Sequence, residues 1–268
     1  MPGTLDKAAR EREFHNDWAK SIKLDDLLVR EVFEAPTAIE NRYALEALGD
    51  LRAKKLLDLG CGAGETSVYF ALQGAEVYAC DIAEEFLKVA ERLAEKHGTK
   101  IHTLRSDSAK LPFADGTFDL VFGNGVLHHV DLLPTTKELA RVLKKGGKAV
   151  FVEPLPYNPA INIYRQLAKG VRTEDEKPLT MKQIRSVGSH FSSMEHEEFW
   201  FLSLIIFFHF FFVRRWNPSK VRYWKKVIEE ADAYAPVFAK LQRADKALMR
   251  SLPFLRPLCW NTVIVAVK

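Results

Sequence analysis

Five short apolar runs recur through the middle of the chain, each followed by a stretch with helical periodicity. Leu56–Leu59, Val77–Asp81, Ile101–Ser106, Phe118–Gly123 and Ala149–Glu153 read as strands covered on both faces, because their apolar residues follow one another with little polar alternation. A helix is expected from about Glu65 through Thr66–Gln73, stopped by Gly74. Strands alternating with helices predict a mainly parallel sheet with helices on both faces. Two more strands are expected late in the chain, at Ser193–Phe199 and at Cys259–Val267, the second rich in β-branched residues. Asp6–Leu48 reads as a helical segment. The expected division is a cap over residues 1–50, a core over 51–199 plus 259–268, and a helical, aromatic-rich insertion over 200–258.

The first strand ends at Asp58 and runs into Gly60, Gly62 and Gly64 at alternate positions. Backbone without Cβ can approach a ligand closely. The turn should place bare N–H groups and a helix N-terminus at the carboxyl end of a strand, where open α/β sheets bind nucleotides. A second strand closes on Asp81, 21 residues after Gly60, the spacing at which an acid reaches a ribose diol. The dinucleotide fingerprint wants glycine at the sixth position of its pattern, and Glu65 stands there. That departure favours a ligand without a pyrophosphate and leaves a nicotinamide-dependent oxidoreductase as a distant third reading.

Leu56-Leu-Asp-Leu-Gly-Cys-Gly-Ala-Gly-Glu65 resembles the first motif of the class I S-adenosylmethionine-dependent methyltransferases. Ser106-Asp-Ser108, Leu111-Pro-Phe113, Phe118-Asp-Leu-Val121, Asn124–Val130 and Glu138–Glu153 are similar to the blocks that follow in that family, in order and at its spacing. The match spans about Lys54 to Pro154, and its pattern is that of the type 11 small-molecule and lipid branch, similar to ubiquinone and menaquinone methyltransferases. The resemblance implies a Rossmann-like, doubly wound α/β fold with a seven-stranded sheet, an N-terminal helical cap and a helical insertion before the last strand. It implies S-adenosyl-L-methionine as cofactor, S-adenosyl-L-homocysteine as product, and no metal. It implies a cofactor site at Asp58, Gly60, Cys61, Gly62, Gly64, Asp81, Ile82, Asp107, Ser108, Asn124 and Gly125. In that carry-over Asp81 holds the ribose hydroxyls, Ile82 packs on the adenine face and Asp107 accepts from the adenine amino group.

Composition narrows the partners. The 268 residues carry 39 basic and 35 acidic side chains, a net charge of +4 too balanced to argue for nucleic acid. Cys61, Cys80 and Cys259 have neither metal nor disulfide spacing, which favours a reducing compartment. Met1–Arg12 has no apolar signal core, so the expected location is cytoplasmic, with peripheral membrane contact as a further expectation. Missing metal-ligand spacing argues against a metal-assisted catechol-type reaction, and the lack of cysteine clusters against thiol-based metalloid methylation.

Methyl transfer is an in-line displacement that needs orientation, a dry pocket and, for some acceptors, a base. His128 and His129 follow the fourth strand and are candidate bases; a helix-start pair, one packed and one solvated, is the alternative. Glu153 ends the fifth strand beside Pro154 and could orient or deprotonate an acceptor, or cap a loop. His15 and Trp18 in the cap, Tyr157, and Phe199, Phe207 and His209 are candidates for contact with substrate.

The run 199–213 is broken only by Ser203 and His209 and is followed by Arg214-Arg-Trp216. At fifteen residues it falls short of the roughly 20 that span a bilayer. It reads equally as an interfacial anchor with basic and aromatic flanks, a core helix, or a homodimer interface through 199–216. The leading function is methyl transfer to a small hydrophobic acceptor: a lipid, isoprenoid, quinone-like or polyketide-like molecule. The alternative is a non-catalytic cofactor-binding or scaffolding protein that uses the apolar run to hold a partner or a membrane.

Overall fold

Leu56, Leu57, Val77, Ala79, Val121, Phe122, Val150 and Phe151 are closed off from solvent, as a sheet covered on both faces requires. The computed structural model describes residues 7–168 and 177–268. The strands are β1 (Lys55–Leu59), β2 (Glu76–Asp81), β3 (His102–Arg105), β4 (Phe118–Asn124), β5 (Leu143–Pro154), β6 (Ser193–Phe199) and β7 (Asn261–Val267). They lie in the order β3-β2-β1-β4-β5-β7-β6. The first five are parallel, and β7 runs antiparallel to both β5 and β6. The expected doubly wound, seven-stranded α/β sheet is what forms. Its order reverses between β1 and β4, so the crevice for a ligand opens beyond the carboxyl ends of those strands.

In chain order the helices are α1 (Lys7–Lys20), α2 (Glu31–Glu34), α3 (Ile39–Leu48), α4 (Glu65–Leu72), α5 (Glu84–Lys96), α6 (Leu132–Val142), α7 (Pro159–Leu167), α8 (Met181–Val187), α9 (Ile205–Phe208), α10 (Tyr223–Glu229) and α11 (Ala231–Ser251). The helical N-terminal segment consists of α1, α2 and α3 with a 3₁₀ turn at Leu24–Asp26, and residues 1–6 lie outside those described. Two boundaries differ from expectation. β5 starts at Leu143, ahead of the expected Ala149, and its pairing with β4 shifts register between Phe118 and Leu120. The last strand begins at Asn261, because a 3₁₀ turn, Pro253–Leu258, feeds into Cys259.

Residues 200–258 share a core with the N-terminal helices, α7 and the approach to β7. Trp200, Phe207, Phe210, Tyr223 and Phe238 pack with Ile39, Tyr164 and Trp260 as one buried cluster. Phe207 lies 5.0 Å from Trp260 and 5.5 Å from Tyr164 between ring centroids. Such aromatic pairs add about 0.5–1.5 kcal/mol each beyond the area they bury. Two half-buried polar bonds fasten this cluster to the rest: the Trp200 indole donates to Glu40, and the Asn261 amide donates to the same carboxylate. Burial raises the Glu40 carboxyl, and these two donors pull it back down. The run 199–213 is not one helix. It is a 3₁₀ turn at Leu202–Leu204, then α9, then a π-helical turn at His209–Val213. Among the described residues no helix is long and apolar enough to cross a membrane.

Candidate active site

The glycine turn is shaped by different pressures at each position. A Cβ on Gly60 would meet the Val126 side chain at 2.6 Å, and one on Gly64 would meet Ala90 at 2.5 Å. Those two glycines let the turn pack on its neighbours. Gly62, at φ +51°, has nothing within 4 Å of where its Cβ would stand. It is the one position of the turn whose bare backbone faces open space, as close approach by a ligand requires.

The N–H groups are not bare, contrary to the expectation. Gly60 and Cys61 both donate to the Cys80 carbonyl at 2.8 and 3.0 Å, and Gly64 donates to the Cys61 carbonyl. The Gly62 N–H donates to Asp81 Oδ2 at 3.0 Å, while Asp81 Oδ1 accepts from Ala83 N–H at 2.8 Å. The turn is thus tied to the end of β2. Burial raises the Asp81 carboxyl, and the two backbone donors oppose that rise. Asp58 faces the other way and accepts from Thr66 and Ser67. It fastens β1 to α4 from within the core.

Residues 57–151 match the model of a methyltransferase domain. This segment belongs to the class I methyltransferases. The chain is 34% identical over 127 residues to a demethylmenaquinone methyltransferase of Lactococcus lactis, covering 46% of this chain and 50% of that one. It is 36% identical over 129 residues to the demethylmenaquinone methyltransferase of Thermus thermophilus, covering 46% and 59%. The chain therefore spans about half the length of the curated relatives it matches. Among solved structures, the geranyl diphosphate C-methyltransferase of Streptomyces coelicolor superposes with a TM-score of 0.60 at 14% identity, covering 100% of both chains. Phosphoethanolamine N-methyltransferase 2 of Haemonchus contortus reaches 0.60 at 17% identity, covering 99% of this chain and 60% of that one. These superpositions establish the fold.

Beyond β4, the methyltransferase domain brings two predicted residues together. His128 Nδ1 lies 2.7 Å from Glu153 Oε2, with Glu153 wholly buried. Glu153 Oε1 accepts from the N–H groups of Val126 and Leu127 at 2.9 and 2.7 Å. The carboxylate thereby holds the loop after β4 as well as the imidazole, and every contact it makes is internal to the protein. His129 lies beside His128 with ring centroids 4.1 Å apart and planes tilted by 39°, and reaches Glu11 of the cap at 3.3 Å. Glu11 also meets His15 at 3.4 Å. Burial raises the Glu11 carboxyl, but the nearby imidazoles of His129 and His15 outweigh it and hold the group well below the usual carboxylate range.

The cap closes over the turn. Glu65 accepts from the Leu28 N–H at 2.6 Å, and Asn41 and Asn124 pair at 3.3 Å. Trp18 packs edge-on to Phe86 and carries the Arg222 guanidinium 3.7 Å above its ring. Gly125 begins the loop with φ +67° and donates to Val152. The remaining expected residues scatter. Ile82 is half-buried beside Asp81. Asp107 is exposed and accepts from Ala109 N–H, and Ser108 pairs with Thr135. Tyr157 accepts from Met181 N–H. Phe199 packs on Tyr43, Phe207 lies inside the insertion's cluster, and His209 lies edge-on to Tyr234. The sequence pattern did not point to Glu11 or to Leu28 as the partner of Glu65. Only Glu11 left a local trace, four residues before His15 on one helix face.

All three cysteines are buried, and desolvation pushes the Cys80 and Cys259 thiols up to about 12, so neither is a thiolate nucleophile. Among the described residues no cluster has a metal-binding set.

Proposed function

We propose that this chain is an S-adenosyl-L-methionine-dependent methyltransferase acting on a small hydrophobic acceptor of quinone-like or isoprenoid character. The observation that carries the reading is the open backbone at Gly62 joined to the Asp81 carboxylate at the sheet's switch point, within a methyltransferase domain. The match to demethylmenaquinone methyltransferases supports the acceptor class. The bound cofactor supplies an electrophilic methyl on a sulfonium.

The chain's own residues do the rest. Gly62 gives close backbone approach, and Asp81 accepts from a diol. Glu153 makes Nδ1 of His128 the donor, which leaves proton acceptance to Nε2. His128 thus acts as base toward an acceptor hydroxyl or acidic carbon, with Glu153 as its positioning residue. The cap residues Trp18 and Phe86 exclude water. Incubation with radiolabelled methyl donor and a panel of demethylquinones and isoprenoids tests the assignment. Label in an apolar product is expected. Binding of S-adenosylhomocysteine without transfer to any acceptor or lipid extract would make the chain a binding protein instead.

A further inference from the structure

The insertion hides one side of its apolar run and exposes the other. Leu204, Ile206, Phe207 and Phe210 are buried in the shared core. Ile205, Phe208, Phe212 and Val213 point outward and are 57, 48, 67 and 66% exposed, beside Phe211. Phe208 and Phe212 lie nearly parallel, 6.3 Å apart. Ile205, Phe208 and Phe212 stand at the i, i+3 and i+7 spacing of one helical face, and the ridge continues into the π-helical turn His209–Val213. A contiguous apolar ridge of this kind marks contact with a partner or a membrane.

What borders the ridge identifies the occupant. Residues 199–228 hold six basic side chains and no acidic one. Trp216 follows the ridge, with the Arg214 guanidinium 4.7 Å and the Lys226 ammonium 5.9 Å from its ring centroid. A cleft of about 310 Å³ is lined by Lys220, Arg222, Lys225 and Lys226 together with Trp18 and Glu229. Arg214, Lys225 and Lys226 have carboxylate partners in Glu230 and Glu229, whereas Arg215 and Lys220 have none among the described residues. An apolar ridge flanked by tryptophan and basic side chains has the composition of an interfacial anchor. A second copy fits less well, because a two-fold contact would bring these same cations together.

We infer that this face docks on an anionic lipid bilayer, with Ile205, Phe208 and Phe212 at the boundary between headgroups and acyl chains and Arg215 and Lys220 on the phosphates. The inference rests on the proposed function only in supplying a reservoir for an apolar acceptor. It is tested by co-flotation of the full chain with vesicles of phosphatidylcholine alone or mixed with phosphatidylglycerol. Binding is expected to the mixed vesicles, weakening with salt. Phe208→Ser with Phe212→Ser should weaken it at least about ten-fold. Arg215→Ala with Lys220→Ala should weaken it about 25-fold. Unchanged melting temperature and S-adenosylhomocysteine affinity verify that the variants fold. Absence of wild-type flotation, equal binding to both vesicles, or a dimer in sedimentation that the phenylalanine variant abolishes each overturns the inference. Methyl transfer to a detergent-dispersed acceptor is read separately. Transfer without flotation removes the docking face alone, and flotation without transfer removes the reaction alone.

Discussion

Glu153 and His128 form a buried pair across the carboxyl ends of neighbouring strands, with Oε2 of one 2.7 Å from Nδ1 of the other. Glu153→Gln keeps an acceptor for the Val126 and Leu127 N–H groups but presents an amide donor to Nδ1. The imidazole then carries its proton on Nε2, the wrong tautomer for a base. Turnover is expected to fall about 10²–10⁴-fold with S-adenosylhomocysteine affinity unchanged. Steady-state kinetics with calorimetry checks this; parallel losses in both would assign the pair to architecture.

Asp81 presents both oxygens at the turn, one to Gly62 and one to Ala83. Asp81→Ala should weaken S-adenosylhomocysteine binding by about 1–3 kcal/mol, roughly 5- to 150-fold. Titration calorimetry reads it directly, and an unmoved affinity would remove the ribose assignment.

Two of the turn glycines, Gly62 and Gly64, should separate by phenotype. Gly64→Ala drives a Cβ into the Ala90 backbone at 2.8 Å and takes a left-handed φ of +87°, so a loss of about 2–4 kcal/mol in stability is expected. Gly62→Ala meets no neighbour and should cost only about 1–2 kcal/mol of backbone strain while lowering cofactor affinity more than any other measured property. Denaturant unfolding beside calorimetry distinguishes them.

Asp58 makes stability depend on pH. Desolvation outweighs the Ser67 and Thr66 hydroxyls and lifts its carboxyl from 3.8 to about 6. The folded state holds this proton more tightly than the unfolded chain. The stabilisation is therefore complete below the unfolded value and is lost as pH rises through about 6. Asp58→Asn should flatten that decline by up to about 3 kcal/mol, measured by urea unfolding between about pH 4 and pH 7.

Much of this was legible because it is local. Unbroken apolar runs marked the strands, and alternate glycines with an acid 21 residues on marked the turn and Asp81. The pairing of His128 with Glu153 was half-legible: both residues stood out, but their separation of 25 positions hid the bond. The cap's attachments left almost no trace. Leu28 meets Glu65 across 37 positions and Asn41 meets Asn124 across 83, and no periodicity encodes which donor finds which acceptor over such distances. The direction of the turn's N–H groups was misjudged for a related reason. Their acceptor, the Cys80 carbonyl, belongs to the next strand.

Glu65 stands where a dinucleotide-binding turn would have its third glycine, and its carboxylate is the post to which the Leu28 backbone is moored. The departure from the dinucleotide pattern and the attachment of the cap therefore coincide in a single side chain. Restoring the glycine would not retool the turn for a dinucleotide: it would cast off the segment that roofs the crevice and leave the Leu28 N–H without its acceptor.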